Sequence, residues 1–379
     1  METNVPVQET ELERKKWKPI EWVGLGLLIA LLACIFFFHK QFSGMFDAMF
    51  TRAYKIFEFY LFGASKLGAA IVVSVMTGRI LERCGLTDAL MRVFLPVMKF
   101  LKVNAAVVVG VIYNILGDVN AAGRIAGPVV MKAGCTKDEQ KIAIATLCNA
   151  PCSFSIIVLG IMALSAAGIN PFPVMIVGLF LPIILVPAFL KIFWRDTKAA
   201  EIKDLPRFTP DTGVMDVLFG SAREGAQLVF LFILPAGCVI FAIIGILEYA
   251  GVWPIITGGL GGFLKFIGIE PGTGVDTIVT AGTLAMNNLR AALAPATADV
   301  AAGRLFAEVF TPEVKKLIVG SFVLANSSWP IQVPLGQIPA VWGGVVDLKN
   351  GQIMWAAFIG CVIRLAYAAI CAQIFGLFF

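Results

Sequence analysis

Residues 22–38, WVGLGLLIALLACIFFF, form an uncharged apolar run, and this kind of segment dominates the chain. With Ile20–Phe38 as the first, spans recur at Leu61–Ile80, Lys141–Leu164, Val174–Trp194, Leu228–Glu248, Leu317–Trp329 with its extension, and Met354–Phe379. Lipid supplies no partner for a backbone N–H or C=O, so only helices or closed barrels can cross it. Continuous apolar runs, rather than alternating ones, select helices. Charged residues make up 15% of the chain, against about 25% in soluble domains. The expected class is an all-α polytopic membrane protein.

Charge placement gives a direction. Arg14, Lys15, Lys16 and Lys18 precede the first span, and Lys191, Arg195, Lys198, Lys203 and Arg207 fill the middle of the chain. Basic flanks of this kind face the cytoplasm, which predicts a cytoplasmic N-terminus in a bacterial inner membrane. The net charge of +5 does not point to a nucleic-acid partner; the expected partner is the lipid bilayer. The first apolar run is longer than a signal-peptide core and lacks a small-residue cleavage site, so it reads as a retained anchor. Eight scattered cysteines form no disulfide or zinc spacing and read mostly as small apolar packing residues.

Several segments are apolar but interrupted. LTDALMRVFLPVMKFLKV, Leu86–Val103, is amphipathic and suits an interfacial arm helix; arms of this type are compatible with a homo-oligomer. Ala105–Gly117 and Ala121–Gly134 flank Gly117-Asp118-Val119-Asn120. As helices each spans roughly 20 Å, short of a hydrocarbon core of about 30 Å. They are expected to form a re-entrant hairpin. A second is expected from Val275–Met286, a turn at Asn287-Asn288, and Leu289–Ala301.

The hairpins belong to an internal duplication. Ile80-Leu81-Glu82-x-x-Gly85 recurs as Ile246-Leu247-Glu248-x-x-Gly251, and at the same offset Lys99-Phe100 matches Lys265-Phe266 and Glu58 matches Glu224. Asn120 and Pro128 match Asn287 and Pro295, and Leu147-Cys148-Asn149 matches Leu324-Ala325-Asn326. The expected organisation is an N-terminal segment and anchor (1–54), a first repeat (55–195), a polar linker (196–216) and a second repeat (217–379). The repeats would be inverted, with broken transmembrane helices, an arrangement that marks transport sites.

Candidate site residues follow from polarity at that depth. They are Asp118, Asn120 and Arg124 on one hairpin and Asn287, Asn288 and Arg290 on the other. Asn149 and Ser153 sit in one broken span, and Asn326, Ser327, Ser328 and Gln332 in its counterpart. Amides donate and accept, which suits a neutral polar solute; the same groups could instead cap helix ends, with Asp118 pairing Arg124. Cys148 and Cys152 are four apart, a weak candidate pair for a soft metal. Glu58 and Glu224 read as helix-end charges within reach of Lys55 and Arg223. Asp299, Arg304 and Glu308 read as a solvated exit, and His39 as an interfacial residue. No phosphate loop or hydrolase motif stands in a credible context, so no enzyme is expected.

The segments NAAGRIAGP (120–128) and LCNAPCSFSI (147–156), with NNLRAALAP (287–295) and TPEVKKLIVGSFVLANSSWP (311–330), resemble the nucleoside-recognition or Gate-domain family. That group is related to concentrative nucleoside transporters and to the membrane region of ferrous iron transporter B. The resemblance implies two inverted repeats whose hairpins meet broken spans at a central site. It implies Asn120, Asn149, Asn287 and Asn326 as ligands of a nucleoside-like solute, and sodium or a proton as coupling ion. By the iron-transporter branch it implies Cys148 or Cys152 at a metal. The leading expectation is a secondary transporter of a small polar solute. The alternatives are a divalent-metal permease and a non-transporting membrane scaffold.

Overall fold

The computed structural model describes residues 17–62, 67–117, 119–151, 153–198, 209 and 211–379, with the side chains of residues 59, 67, 120, 121, 232 and 236 outside the description. Every regular element among them is helical. α1 (Pro19–Phe57) bends at Phe38 and continues through a π turn, Glu58–Phe62. α2 (Leu67–Arg83) and α3 (Leu86–Phe100) follow, then a 3-10 turn, Ala105–Val108, into α4 (Val109–Leu116). Next come α5 (Val119–Lys132), α6 (Lys137–Asn149) and α7 (Phe154–Ala166). α8 (Pro171–Met175) and α9 (Pro182–Leu190) enclose a π turn, Ile176–Phe180. α10 (Val214–Gln227) runs through a π turn, Leu228–Ile233, into α11 (Leu234–Tyr249). α12 (Trp253–Phe266), α13 (Pro271–Val279), α14 (Gly282–Ala301), the short α15 (Phe306–Val309) and α16 (Pro312–Ala325) follow. A π turn, Val333–Gln337, leads to α17 (Ile338–Trp342), and α18 (Asn350–Gly376) ends the fold.

Three helical segments are long and apolar enough to cross a membrane, as a helical membrane protein requires: Pro19–Phe62, Pro171–Leu190 and Asn350–Gly376. A fourth results if Gly237–Tyr249 and Trp253–Phe266, bent by 106°, count as one span. α3 is amphipathic as expected, burying Thr87, Met91, Phe94 and Met98 along one face.

Local chemistry sets the ends. Thr136 caps α6 by accepting from Glu139 N at 3.2 Å, and Glu139 Oε2 accepts from Thr136 N at 3.0 Å, a reciprocal capping box. The other carboxylate oxygen of this fully buried Glu139 accepts from Asn104 N at 2.9 Å and Lys198 N at 2.8 Å. α6 stops at Asn149 because Pro151 disfavours a helical residue before it; Ala150 is extended, with φ −83° and ψ 163°. The span expected over Lys141–Leu164 is therefore two helices. Likewise the span expected over Leu317–Trp329 ends at Ala325, where Asn326 leaves helical geometry. The π turn ending at Ile233 precedes Pro235, whose missing N–H cannot close a regular turn.

The second hairpin differs from expectation. Its break lies at Thr280-Ala281, and α14 runs unbroken through Asn287 and Asn288. Small residues, rather than amides, release the helix here: Ala281 is extended (φ −161°, ψ 141°) and Gly282 abuts the Ala325 carbonyl where a Cβ would clash at 2.4 Å.

Packing is closest where glycines line helix crossings. α1 packs on α11, and a Cβ at Gly245 would lie 2.6 Å from the Ala48 carbonyl oxygen. α2 packs on α10, where a Cβ at Gly225 would lie 2.8 Å from Val72 Cα. α6, α16 and α18 form the interior around Arg364, which is fully buried. Its guanidinium donates to Val323 O at 2.7 Å and Gly178 O at 2.8 Å, while Tyr367 donates to Val177 O at 2.6 Å. The π turn Ile176–Phe180 offers the carbonyls that Arg364 and Tyr367 take up.

Candidate functional site

Three helix breaks converge. Ser328 N donates to Cys148 O at 3.0 Å, joining the α16–α17 break to the end of α6. Ile331 N donates to Ile278 O at 2.9 Å and Gln332 Nε2 to Thr280 O at 3.3 Å, joining the same break to the α13–α14 tip. α18 closes the back, where Gly360 O accepts from Asn149 Nδ2 at 3.2 Å and Cys361 O from Trp329 Nε1 at 2.9 Å. The freed Cys148, Ile278 and Thr280 carbonyls at these breaks are thus satisfied within the protein.

In front of the breaks lies a cavity of about 410 Å³. Its polar lining comes from the helix breaks: Ser153 and Ser155 at the start of α7, Thr280 and Thr283 at the hairpin tip, and Ser328, Gln332 and Gln337 beyond α16. Ser153 caps α7 by accepting from Ser155 N at 3.2 Å. The first turn of α14 has no capping side chain, and Gly282, Thr283 and Leu284 of that turn line the cavity. The rest of the lining is apolar, from Ile56 and Ile71, from Leu228, Leu231, Ile240 and Phe241, and from Ile156, Leu284 and Val333 beside the polar groups, with Tyr60 among them. No charged side chain lines the cavity among the described residues.

Hydrogen-bonding capacity is left over around this centre. Asn149 Oδ1, Asn287 Oδ1, Asn326 Oδ1, Ser328 Oγ and Gln332 Oε1 are buried without a protein partner. A buried orphan of this kind costs about 1–3 kcal/mol, so each of these oxygens calls for a partner, a solute or water in the cavity.

The expected residues distribute as follows. Ser153 and Gln332 line the cavity, as does Ser328. Asn149 and Asn326 are buried at the breaks, and Ser327 donates to Leu324 O at 2.6 Å, closing the end of α16. Asn287 is buried one turn behind Thr283 on α14. Asn288 donates to Asp276 Oδ2 at 2.8 Å, tying α14 to α13. Arg290 approaches the Met162 sulfur at 3.7 Å, and Arg124 is exposed on α5; neither lines the cavity. Asp118 and Cys152 lie outside the described residues, as does the Asn120 side chain on the first turn of α5. Cys148 is buried, and no group of three His, Cys, Asp or Glu among the described residues could hold a metal.

Glu224 departs from expectation: its partner is Arg79 of α2, at 2.8 Å from Nε, rather than Arg223. Glu58 and His39 are exposed, and Arg304 pairs with Asp299 at 2.7 Å on an exposed segment. Tyr60, Ser155, Thr280, Thr283, Gln337 and Asp276 were missed by sequence reasoning. Hydroxyls in apolar helices carry little signal alone, though the run Thr280-Ala281-Gly282-Thr283 marks a helix of small residues prone to break. No family model matches the chain, and no curated protein matches it.

Proposed function

We propose that this protein is a membrane carrier for a small neutral solute with one apolar and one hydrogen-bonding face, nucleoside-like in character. The carrying observation is the uncharged cavity of mixed polar and apolar lining, flanked by three helix breaks and bordered by unused buried acceptors. An uncharged lining suits a neutral ligand. A planar ring would lie on the Ile, Leu and Phe wall while hydroxyl and amide groups meet Ser153, Thr283, Ser328 and Gln332. The resemblance of residues 120–128, 147–156, 287–295 and 311–330 to nucleoside-recognition proteins supports the same class. The leftover amide oxygens could also ligate a coupling sodium ion, and the basic flanks favour a cytoplasmic N-terminus in a bacterial inner membrane.

The reading includes two inverted repeats in which α4–α5 and α13–α14 are re-entrant hairpins. Supporting it, α13 has nine residues, roughly 14 Å of helix. The duplicated Ile-Leu-Glu-x-x-Gly motif ends α2 and α11 alike, with Gly85 at φ 83° and Gly251 at φ 71°. Next, Lys102 and Gly268 both take positive φ, followed by capping residues Asn104 and Glu270. Helix partners also exchange between halves: α1 meets α11 as α10 meets α2, and α7 meets α14 as α5 meets α17.

Purified protein in liposomes tests the function. Saturable uptake of labelled nucleosides or nucleobases is expected under a sodium or proton gradient, and Gln332→Ala or Thr283→Ala is expected to weaken it about tenfold, the loss of one good hydrogen bond. Absence of uptake and of binding for every nucleoside and base under either gradient overturns the substrate class.

A further inference from the structure

Much of the apolar lining of the cavity comes from two long helical paths. α1 with α2 runs antiparallel to α10 with α11: Ala48 meets Gly245, Ile56 meets Gly237 and Val72 meets Gly225. Along the first path the lining residues run from Ile56 to Ile71; along the second, from Leu228 to Phe241. An arginine–glutamate pair stands just beyond the lining at each end. Arg52 precedes Ile56 by one turn and contacts Glu248 at 3.3 Å. Glu224 precedes Leu228 by one turn and is held by Arg79.

The two ends share a plan. Each has an arginine from the α1/α2 path, a glutamate from the α10/α11 path and an aromatic ring under the guanidinium. Arg52 lies 5.6 Å from the Phe241 ring centroid and Arg79 5.6 Å from that of Tyr113. Phe241 itself lines the cavity. Their tightness differs. Arg79 bonds both Glu224 oxygens, at 2.8 and 2.5 Å, and also Glu82 at 2.7 Å and Tyr113 Oη at 2.8 Å. Arg52 makes one longer contact with Glu248, and its Nε is buried without a partner.

Simple stapling of helices does not explain this placement, because the glycine crossings already hold both pairs in van der Waals contact. A charge pair at each end of a cavity is a bistable element: paired it excludes water, and parted both ions must be hydrated, so intermediate separations are unfavourable. Resting on the carrier reading above, we propose that Arg79–Glu224 and Arg52–Glu248 are the two gates of the cavity. The first is shut in this conformation and the second is poised to open. Solute would leave and enter past whichever pair is parted.

Accessibility tests this without reference to transport. Thr283→Cys, on the cavity wall, serves as reporter in protein whose Cys34, Cys84, Cys152 and Cys238 are replaced by Ser; Cys135, Cys148, Cys361 and Cys371 are buried. Burial, with Glu139 nearby, also raises the Cys135 thiol pKa, which keeps it inert. A charged, membrane-impermeant methanethiosulfonate is applied to either face of oriented vesicles. With both gates intact, the reporter is expected to react from the α1/α11 face only. Arg79→Ala, or the isosteric Glu224→Gln where Arg79→Ala fails to fold, is expected to speed reaction from the opposite face about tenfold, the population shift that follows loss of one such pair. Arg52→Ala is expected to act on its own face alone.

Equal reaction from both faces with the gates intact overturns the proposal. So does an unchanged rate in folded Arg79→Ala or Glu224→Gln protein. Uptake measured in vesicles of the same gate variants with Thr283 retained separates the two readings. Uptake with flat accessibility removes the gates alone, whereas shifted accessibility without uptake leaves the gates and removes the carrier.

Discussion

At the scale of single residues, polar groups in this chain divide by whether the protein uses their bonding capacity. Ser327 and Asn288 spend theirs on neighbouring structure, whereas Gln332, Ser328 and Asn287 keep an unused oxygen at the centre. Asn288→Asp is expected to bring a second carboxylate against Asp276 across the α13–α14 hairpin. Like charges at that distance repel in a low-dielectric setting, so the thermal midpoint in detergent should fall; an unchanged midpoint would show that the bond does not support the hairpin. Arg124→Ala, by contrast, removes an exposed side chain remote from the cavity. It should leave solute binding within twofold of the parent, as isothermal titration would read, because exposed charges away from a site contribute little. Polarity made both Arg124 and Asn287 candidates, and burial separates them.

Among elements, helix ends and crossings decide the architecture. Glu139 holds three backbone N–H groups from Thr136, Asn104 and Lys198. Glu139→Ala would orphan them together and should destabilise the fold by about 3 kcal/mol, measured as the shift in chemical or thermal unfolding. Its capping box was readable as Thr-Lys-Asp-Glu, while its reach to Asn104 and Lys198 was not. Gly245→Leu should be equally damaging, because any Cβ there meets the Ala48 carbonyl at 2.6 Å. Overpacking of this kind costs about 1–3 kcal/mol, and it should lower the recovered folded fraction on size-exclusion chromatography. The proline-driven breaks at Ala150 and after Ala325 could be anticipated from Pro151 and Pro330. The break at Thr280-Ala281 carried only the weaker signal of a run of small residues, with no proline or amide to mark it, and the approach of Gly282 to Ala325 fixes its place.

For the whole molecule, the interior is organised about Arg364, a buried cation in the middle of the apolar α18. Arg364→Met would strip donors from Val323 O and Gly178 O and should cost roughly 2–4 kcal/mol for two orphaned carbonyls. A thermal midpoint as high as the parent's would mean that the π turn Ile176–Phe180 relaxes into regular helix without it. Sequence by itself determined the helical class, three of the seven expected apolar spans, the amphipathic α3, the interruptions near Asn149 and Asn326, and the recurring Ile-Leu-Glu-x-x-Gly turns. These follow from local composition, from periodicity and from glycine or proline geometry, each confined to a few neighbouring residues. Tertiary structure alone decided which hydroxyls face one cavity, where the second hairpin breaks, and that Arg79 answers Glu224 while Arg52 answers Glu248. Those depend on residues far apart in the chain meeting at one depth, and a side chain's own sequence neighbourhood carries no record of the partner that packing brings to it.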